Sequence, residues 1–186
     1  MADDEKSEAW NKLNRLLLST RDFQQALSAA TFLYEEMDEA RGLAGFRRLR
    51  CFETNMVVAY ARPFSQAHGA VKRLKLGDLG IDLTNEEYAL HERLIEQRNK
   101  LYAHSDADRV PMSVQVMNTI FGGDKADFQF IMPRFEEGCG FDSLEVLRIE
   151  MLCGRVLHAA LDCAQTIGEN FKDRFAVRDI DIRRDE

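Results

Sequence analysis

An arginine, an asparagine and a histidine stand close together in the stretch Arg98-Asn99-Lys100-Leu101-Tyr102-Ala103-His104-Ser105-Asp106. A guanidinium keeps its charge at any ordinary pH, and its planar fork of N–H donors fits a phosphate with two parallel hydrogen bonds. An imidazole gives and takes a proton near neutrality. Together they suit acid–base chemistry at a phosphodiester, with one group holding the phosphate and the other moving a proton.

A helix must carry these groups. Thr84-Asn85-Glu86-Glu87 has the pattern of a capping box, in which Thr84 and Glu87 satisfy the first free amides of a helix. From there Leu90, Leu94 and Leu101 project in nearly one direction at 100° per residue. Arg98 and His104 fall roughly 60° to either side of that stripe, and the helical rise separates them by about 9 Å. Two arrangements fit this wheel. The leucines can face the core of their own chain, with His104 capping the helix end. Alternatively, Leu94 and Leu101 can pack on the same helix of a second copy across a two-fold axis, bringing Arg98 and His104 of both chains together.

The pattern of arginine, polar residue, spacers and histidine resembles the signature of the HEPN superfamily. These are helical domains, many of them metal-independent ribonucleases. The resemblance covers chiefly residues 44 to 106. It implies an endoribonuclease of the toxin or antiviral-defence kind, with RNA as substrate, no cofactor or metal, a site at a homodimer interface, and an antitoxin or regulatory protein as a further partner. On the resemblance Arg98 grips the scissile phosphate, His104 serves as acid or base or positions the ribose hydroxyl, and Asn99 orients one of the two. Some members carry a tyrosine two residues after the histidine, which a partner nucleotidyltransferase modifies. Here that position is Asp106, which puts that route in doubt and places an acid where it can raise the pKa of His104, orient its ring, or cap the helix. A non-catalytic HEPN-like module that binds RNA, nucleotide or protein is the alternative, and a helical regulatory subunit a third.

A second group of candidates lies upstream. Glu53, Asn55, Tyr60 and Arg62 sit among apolar residues near the end of a helical segment that Pro63 stops. Buried polar groups need partners. Arg62 can satisfy the last carbonyls of that helix, or the set can pack beside the arginine–histidine helix to support it or to contact phosphate, with Glu53, Tyr60 and Arg62 as the candidates.

Composition narrows the field. A chain of 186 residues has length enough for one domain, and no apolar run approaches the roughly 18 residues of a membrane span. The start, Ala2-Asp3-Asp4-Glu5, is acidic where an export signal is basic and then apolar, so a cytoplasmic protein is expected. Cys51, Cys139, Cys153 and Cys163 show no zinc-type spacing and read as reduced thiols. His91-Glu92 does not begin a zincin pair, since Ile95 stands where the second histidine would be, and His68 and His158 are isolated. P-loop, dinucleotide and serine-elbow motifs are absent. A net charge of −7 argues against coating nucleic acid by bulk electrostatics, so any RNA contact must be local. Positive charge gathers at Arg47, Arg48 and Arg50, at Lys72, Arg73 and Lys75, and at Arg93, Arg98 and Lys100.

The remaining elements follow from periodicity. Residues 4 to 19 read as one helix through Trp10, Leu13, Leu16 and Leu17, and a second runs from a Thr20 cap to about Ala40. Gly42 and Gly45 loosen the chain, and a helix from about Ala44 to Pro63 follows, continuous with its predecessor or separate from it. Residues 66 to 83 read as a loop with one short helical turn. Residues 107 to 140 read as a β-hairpin or loop insertion, because Met112 to Met117 and Phe128 to Met132 alternate around Gly122-Gly123. Asp142 and Glu145 cap a last long helix, and the charged tail from Val177 reads as frayed. The expected whole, residues 1–186, is a single all-α domain: a mostly antiparallel helix bundle of HEPN type with a small β-hairpin or loop insertion.

Overall fold

The computed structural model describes residues 2–65, 72–102, 112–119, 128–135 and 140–175. Among these residues are four α-helices, α1 (Ala2–Met37), α2 (Gly42–Ala61), α3 (Asn85–Gln97) and α4 (Ser143–Gly168), and, between α3 and α4 in the chain, an antiparallel pair of strands β1 (Met112–Thr119) and β2 (Phe128–Phe135). Contacts fix the directions of the helices. Thr31 bonds Glu150 while Trp10 meets Phe171, so α1 and α4 run antiparallel. Gln25 bonds Asn55 and Arg15 reaches the end of α2, which makes α1 and α2 antiparallel as well. Likewise α3 opposes α4, with Glu87 on Arg155 and Arg93 on Glu145. The expected helical, mostly antiparallel architecture with a small β element is what the chain adopts.

The core lies between α1, α2 and α4. Leu13, Leu16, Ala26, Ala30 and Leu33 of α1 and Val146, Ile149, Leu152, Val156, Ala160 and Ala164 of α4 are all buried in it, and Phe23 of α1 packs on Tyr60 and Phe64 at 6.2 and 5.6 Å between ring centres. The alanines keep the facing surfaces small where the two helices lie along each other. A 3-10 extension, Glu169–Arg174, carries buried Phe171 onto Trp10 at 5.2 Å between ring centres.

One boundary differs from expectation, and one that the sequence left open is decided. Thr20 starts no helix, because its hydroxyl donates back to the Leu17 carbonyl at 2.8 Å, and Ser19 does the same to Arg15 at 2.7 Å. A Ser or Thr hydroxyl can either cap a helix or bond within one, and here the unbroken apolar stripe decides for one helix of 36 residues. The break after it is real: Gly42 has φ +64, a left-handed conformation that a side chain would strain, so α1 and α2 are separate helices. Arg41 donates to the carbonyls of Asp38 and Ala40 at that break.

The end of α2 is held from an unexpected direction. Arg15 donates to the carbonyls of Arg62, at 3.3 Å, and Pro63, taking the role expected of Arg62 itself. Between α2 and α3 a 3-10 turn, Leu76–Leu79, rests on α4 through buried Leu79, while the Cys163 thiol donates weakly to the Asp78 and Leu79 carbonyls. Both predicted capping boxes form: Thr84 with Glu87 at 3.2 and 2.9 Å, and Asp142 with Glu145 at 2.8 and 3.1 Å. The strands pair antiparallel from Met112 opposite Phe135 to Thr119 opposite Phe128. His68, Gly122-Gly123, Cys139 and the tail from Val177 lie outside the described residues. Among the described residues no helix is long and apolar enough to cross a membrane.

Candidate functional site

The stretch bearing the motif is more than the tail of an α-helix. At Arg98 the backbone bonding widens, and Arg98–Tyr102 form a π-helical turn continuing α3. Such turns are rare and concentrate at functional sites. The Arg98 N–H still bonds back to the carbonyls of Leu94 and Ile95, so the arginine sits where one pattern hands over to the other. Its Nη1 donates to Asn99 Oδ1 at 2.9 Å. Arg98 as a residue is half-buried and Asn99 exposed, and the bond between them is open to solvent. His104 and Asp106 lie outside the described residues.

Neighbouring cations are differently placed. Lys100 pairs with Glu96, Arg93 with Glu145, and Arg50 approaches Glu53 at 3.4 Å. Among the described residues Arg98 faces the Asn99 amide and no carboxylate. Two of the three positive groups in the sequence thereby come together, because Arg50 and Arg93 flank a single feature, the contact between Glu53 and Gly140.

That contact was hidden in the sequence. Glu53 is fully buried, and its two carboxylate oxygens accept the Gly140 N–H at 3.1 and 2.9 Å. Arg93 donates to the Gly140 carbonyl at 2.9 Å and lays its guanidinium over the Phe141 ring at 4.5 Å. A Cβ at Gly140 would come within 3.1 Å of Glu53 Oε1 and 3.9 Å of Gln97 Nε2, which explains the glycine. Gln97 lies beside Arg98, and its buried Oε1 has no hydrogen-bond partner among the described residues. The one sequence signal for this hub is the glycine pair Gly138 and Gly140, a pattern that permits close backbone approach.

Tyr60 points elsewhere along α3. It is fully buried, with its hydroxyl 2.9 Å from Nδ1 of buried His91, and the Phe64 ring stands edge-on to the imidazole at 4.7 Å. Burial lowers the His91 pKa, against a smaller raising by Glu92, and burial raises that of Tyr60. Both groups are therefore neutral: the tyrosine donates to Nδ1, and Nε2 carries the ring proton toward the Glu92 carboxylate, 3.9 Å away. The sequence excludes His91-Glu92 as a zincin pair but gives no sign of this role, since a buried tyrosine partner leaves no local motif. Arg62 turns to α1, where it bonds Asp22 at 2.6 Å. Of the upstream candidates, then, Glu53 and Tyr60 reach the motif helix and the start of α4, while Arg62 and Asn55 tie α2 to α1.

Burial decides between the two arrangements open to Leu94. Leu94 is fully buried and Leu90 half-buried against the core of their own chain, so Leu94 is no contact between copies. Of the two arrangements the wheel allowed, Leu94 takes the one that faces the core of its own chain. Among the described residues no group of three His, Cys, Asp or Glu side chains could hold a metal ion. Comparison with protein-family models, with curated proteins and with solved structures yields no match to this chain.

Proposed function

We propose that the chain is a metal-independent endoribonuclease of HEPN type, in which Arg98 and His104 act on an RNA phosphodiester and two copies complete the site. The observation that carries this reading is the state of Arg98: set on a π turn, oriented by Asn99, and facing no carboxylate among the described residues. A guanidinium fixed by a neutral amide keeps its charge and its remaining N–H donors for a phosphate. Glu53 and Tyr60 serve as positioning residues, fixing the start of α4 and the middle of α3 on either side of the turn.

In the proposed reaction the ribose 2′-oxygen attacks the adjacent phosphorus, and the bond from phosphorus to the 5′-oxygen breaks. The 2′-hydroxyl proton leaves to a base, and the departing 5′-oxygen gains one. His104 carries out proton transfer, Arg98 neutralises the charge gathering on the non-bridging oxygens, and the product ends in a 2′,3′-cyclic phosphate.

The test is cleavage of mixed structured and single-stranded RNA in the presence of chelator. Arg98→Ala and His104→Ala are each expected to slow cutting by about 10² to 10⁴-fold. Because the bond from Arg98 to Asn99 is solvent-exposed, replacing Arg98 is expected to shift stability by less than about 0.5 kcal/mol. A folded parent that cuts nothing, or three proteins that cut equally, would replace this reading with a binding module.

A further inference from the structure

The hairpin is the part of the molecule the bundle does not explain. Every described side chain on both strands is exposed. By the register, Val114 and Val116 share a face with Ile131, and they are 58%, 62% and 72% exposed; Met117, Phe130 and Met132 occupy the opposite face at 40%, 40% and 48%. Among the described residues β1 pairs with β2 alone. A two-stranded ribbon is marginal in water, and an unpaired edge is a template for another strand.

The two edges are not equivalent. Along Phe128–Phe135, β2 contains Pro133, which has no N–H to give, and Arg134. Proline and charge are the devices by which natural sheets discourage pairing at an edge. Along Met112–Thr119, β1 carries no charge, proline or glycine. In a chain of net charge −7, it is a neutral strip on which two copies can approach.

We propose that the outer edge of β1 pairs antiparallel with β1 of a second copy of this chain, about a two-fold axis perpendicular to the sheet, giving the strand order β2-β1-β1-β2. Such an axis keeps each face on its own side, so directly opposed residues come from the same face. With Gln115 on the axis, Val114 lies opposite Val116 of the second copy and the reverse, making two cross-strand apolar pairs. Self-pairing sets a strand against its own sequence, so a charge near the axis would meet its like; β1 has none to meet. The four-stranded product has the strand number that an isolated hairpin lacks. This inference rests on the hairpin and not on the nuclease reading.

The experiment is the mass of the full chain in solution, measured by sedimentation across a concentration series, together with amide exchange along β1. The parent is expected to be a dimer with protected β1 amides. The double variant Val114→Lys with Val116→Lys, which changes only exposed side chains, is expected to weaken the dimer on the order of tenfold or more and to release that protection. Ile131→Lys, on the same face but one strand in from the edge, is expected to leave the dimer intact. A monomeric parent overturns the proposal, as does a lysine pair that leaves the dimer unchanged. If Ile131→Lys dissociates the dimer equally, the copies join through the faces of the hairpins, and edge pairing is wrong. RNA cleavage is assayed separately, so loss of either property does not decide the other.

Discussion

The seam between α1 and α4 and the seating of α3 are built by different physics. Along the seam, apolar side chains such as Leu16, Leu33, Ile149 and Leu152 are fully buried, and the force that buries them is non-directional. In α3 the buried residues are His91 and Leu94, Leu90 and Ile95 pack partly buried against the core, and bonds from polar groups add to them: Tyr60 to His91, Arg155 to Glu87, Arg93 to Glu145 and to the Gly140 carbonyl. Hydrogen bonds specify rotation and axial position, as apolar burial alone does not. The difference teaches that the seam sets whether the chain folds, while the polar ties set where Arg98 stands.

Three substitutions bear on that contrast. Leu152→Ala opens a cavity in the seam and is expected to cost about 2–5 kcal/mol in urea unfolding. If its cost fell below that of any change around α3, the contrast would be lost. Glu53→Gln keeps the shape and one acceptor but removes the charge from the Gly140 contact, at an expected cost of about 1–3 kcal/mol. Its sharper signature is local: amide exchange should quicken in Arg98–Tyr102 more than in α1, and a uniform rise would show that the contact does not govern the turn.

The third effect is the smallest and depends on pH. The ordinary histidine value is 6.5, and burial holds folded His91 below it. The unfolded chain therefore takes up a proton first as pH falls, so the stability present above about 6.5 is lost below it, by at most about 1.4 kcal/mol per pH unit for one proton. In a His91→Gln variant this part of the acid slope should vanish from unfolding curves between pH 7 and 5. Equal slopes in the two proteins would assign the loss to carboxylates.

What could be read from the sequence was local. Thr84 with Glu87 and Asp142 with Glu145 announce helix starts within four residues, and the alternation of Met112–Met117 and Phe128–Met132 announces a hairpin or structured loop, whose register only the structure gives. Thr20 misled because its hydroxyl serves equally at a cap or inside a helix. The π turn at Arg98 has no residue signature, since any side chain tolerates the wider bonding. Within the site, Arg98 and its Asn99 partner are adjacent and were legible. The Glu53 contact joins residues 87 positions apart, and no periodicity links them.

That same contact closes a circuit. Gly140 lies against Glu53, Arg93 and Gln97 together, so the chain that departs beyond α3 comes back to where it left. Everything between is an excursion with joined ends, and lengthening such an excursion is cheap: each doubling of a loop costs only about 0.6 kcal/mol of closure entropy. The segment carrying the hairpin is thus the place where this architecture accepts insertions, deletions or a fused domain, while the four helices keep their seats.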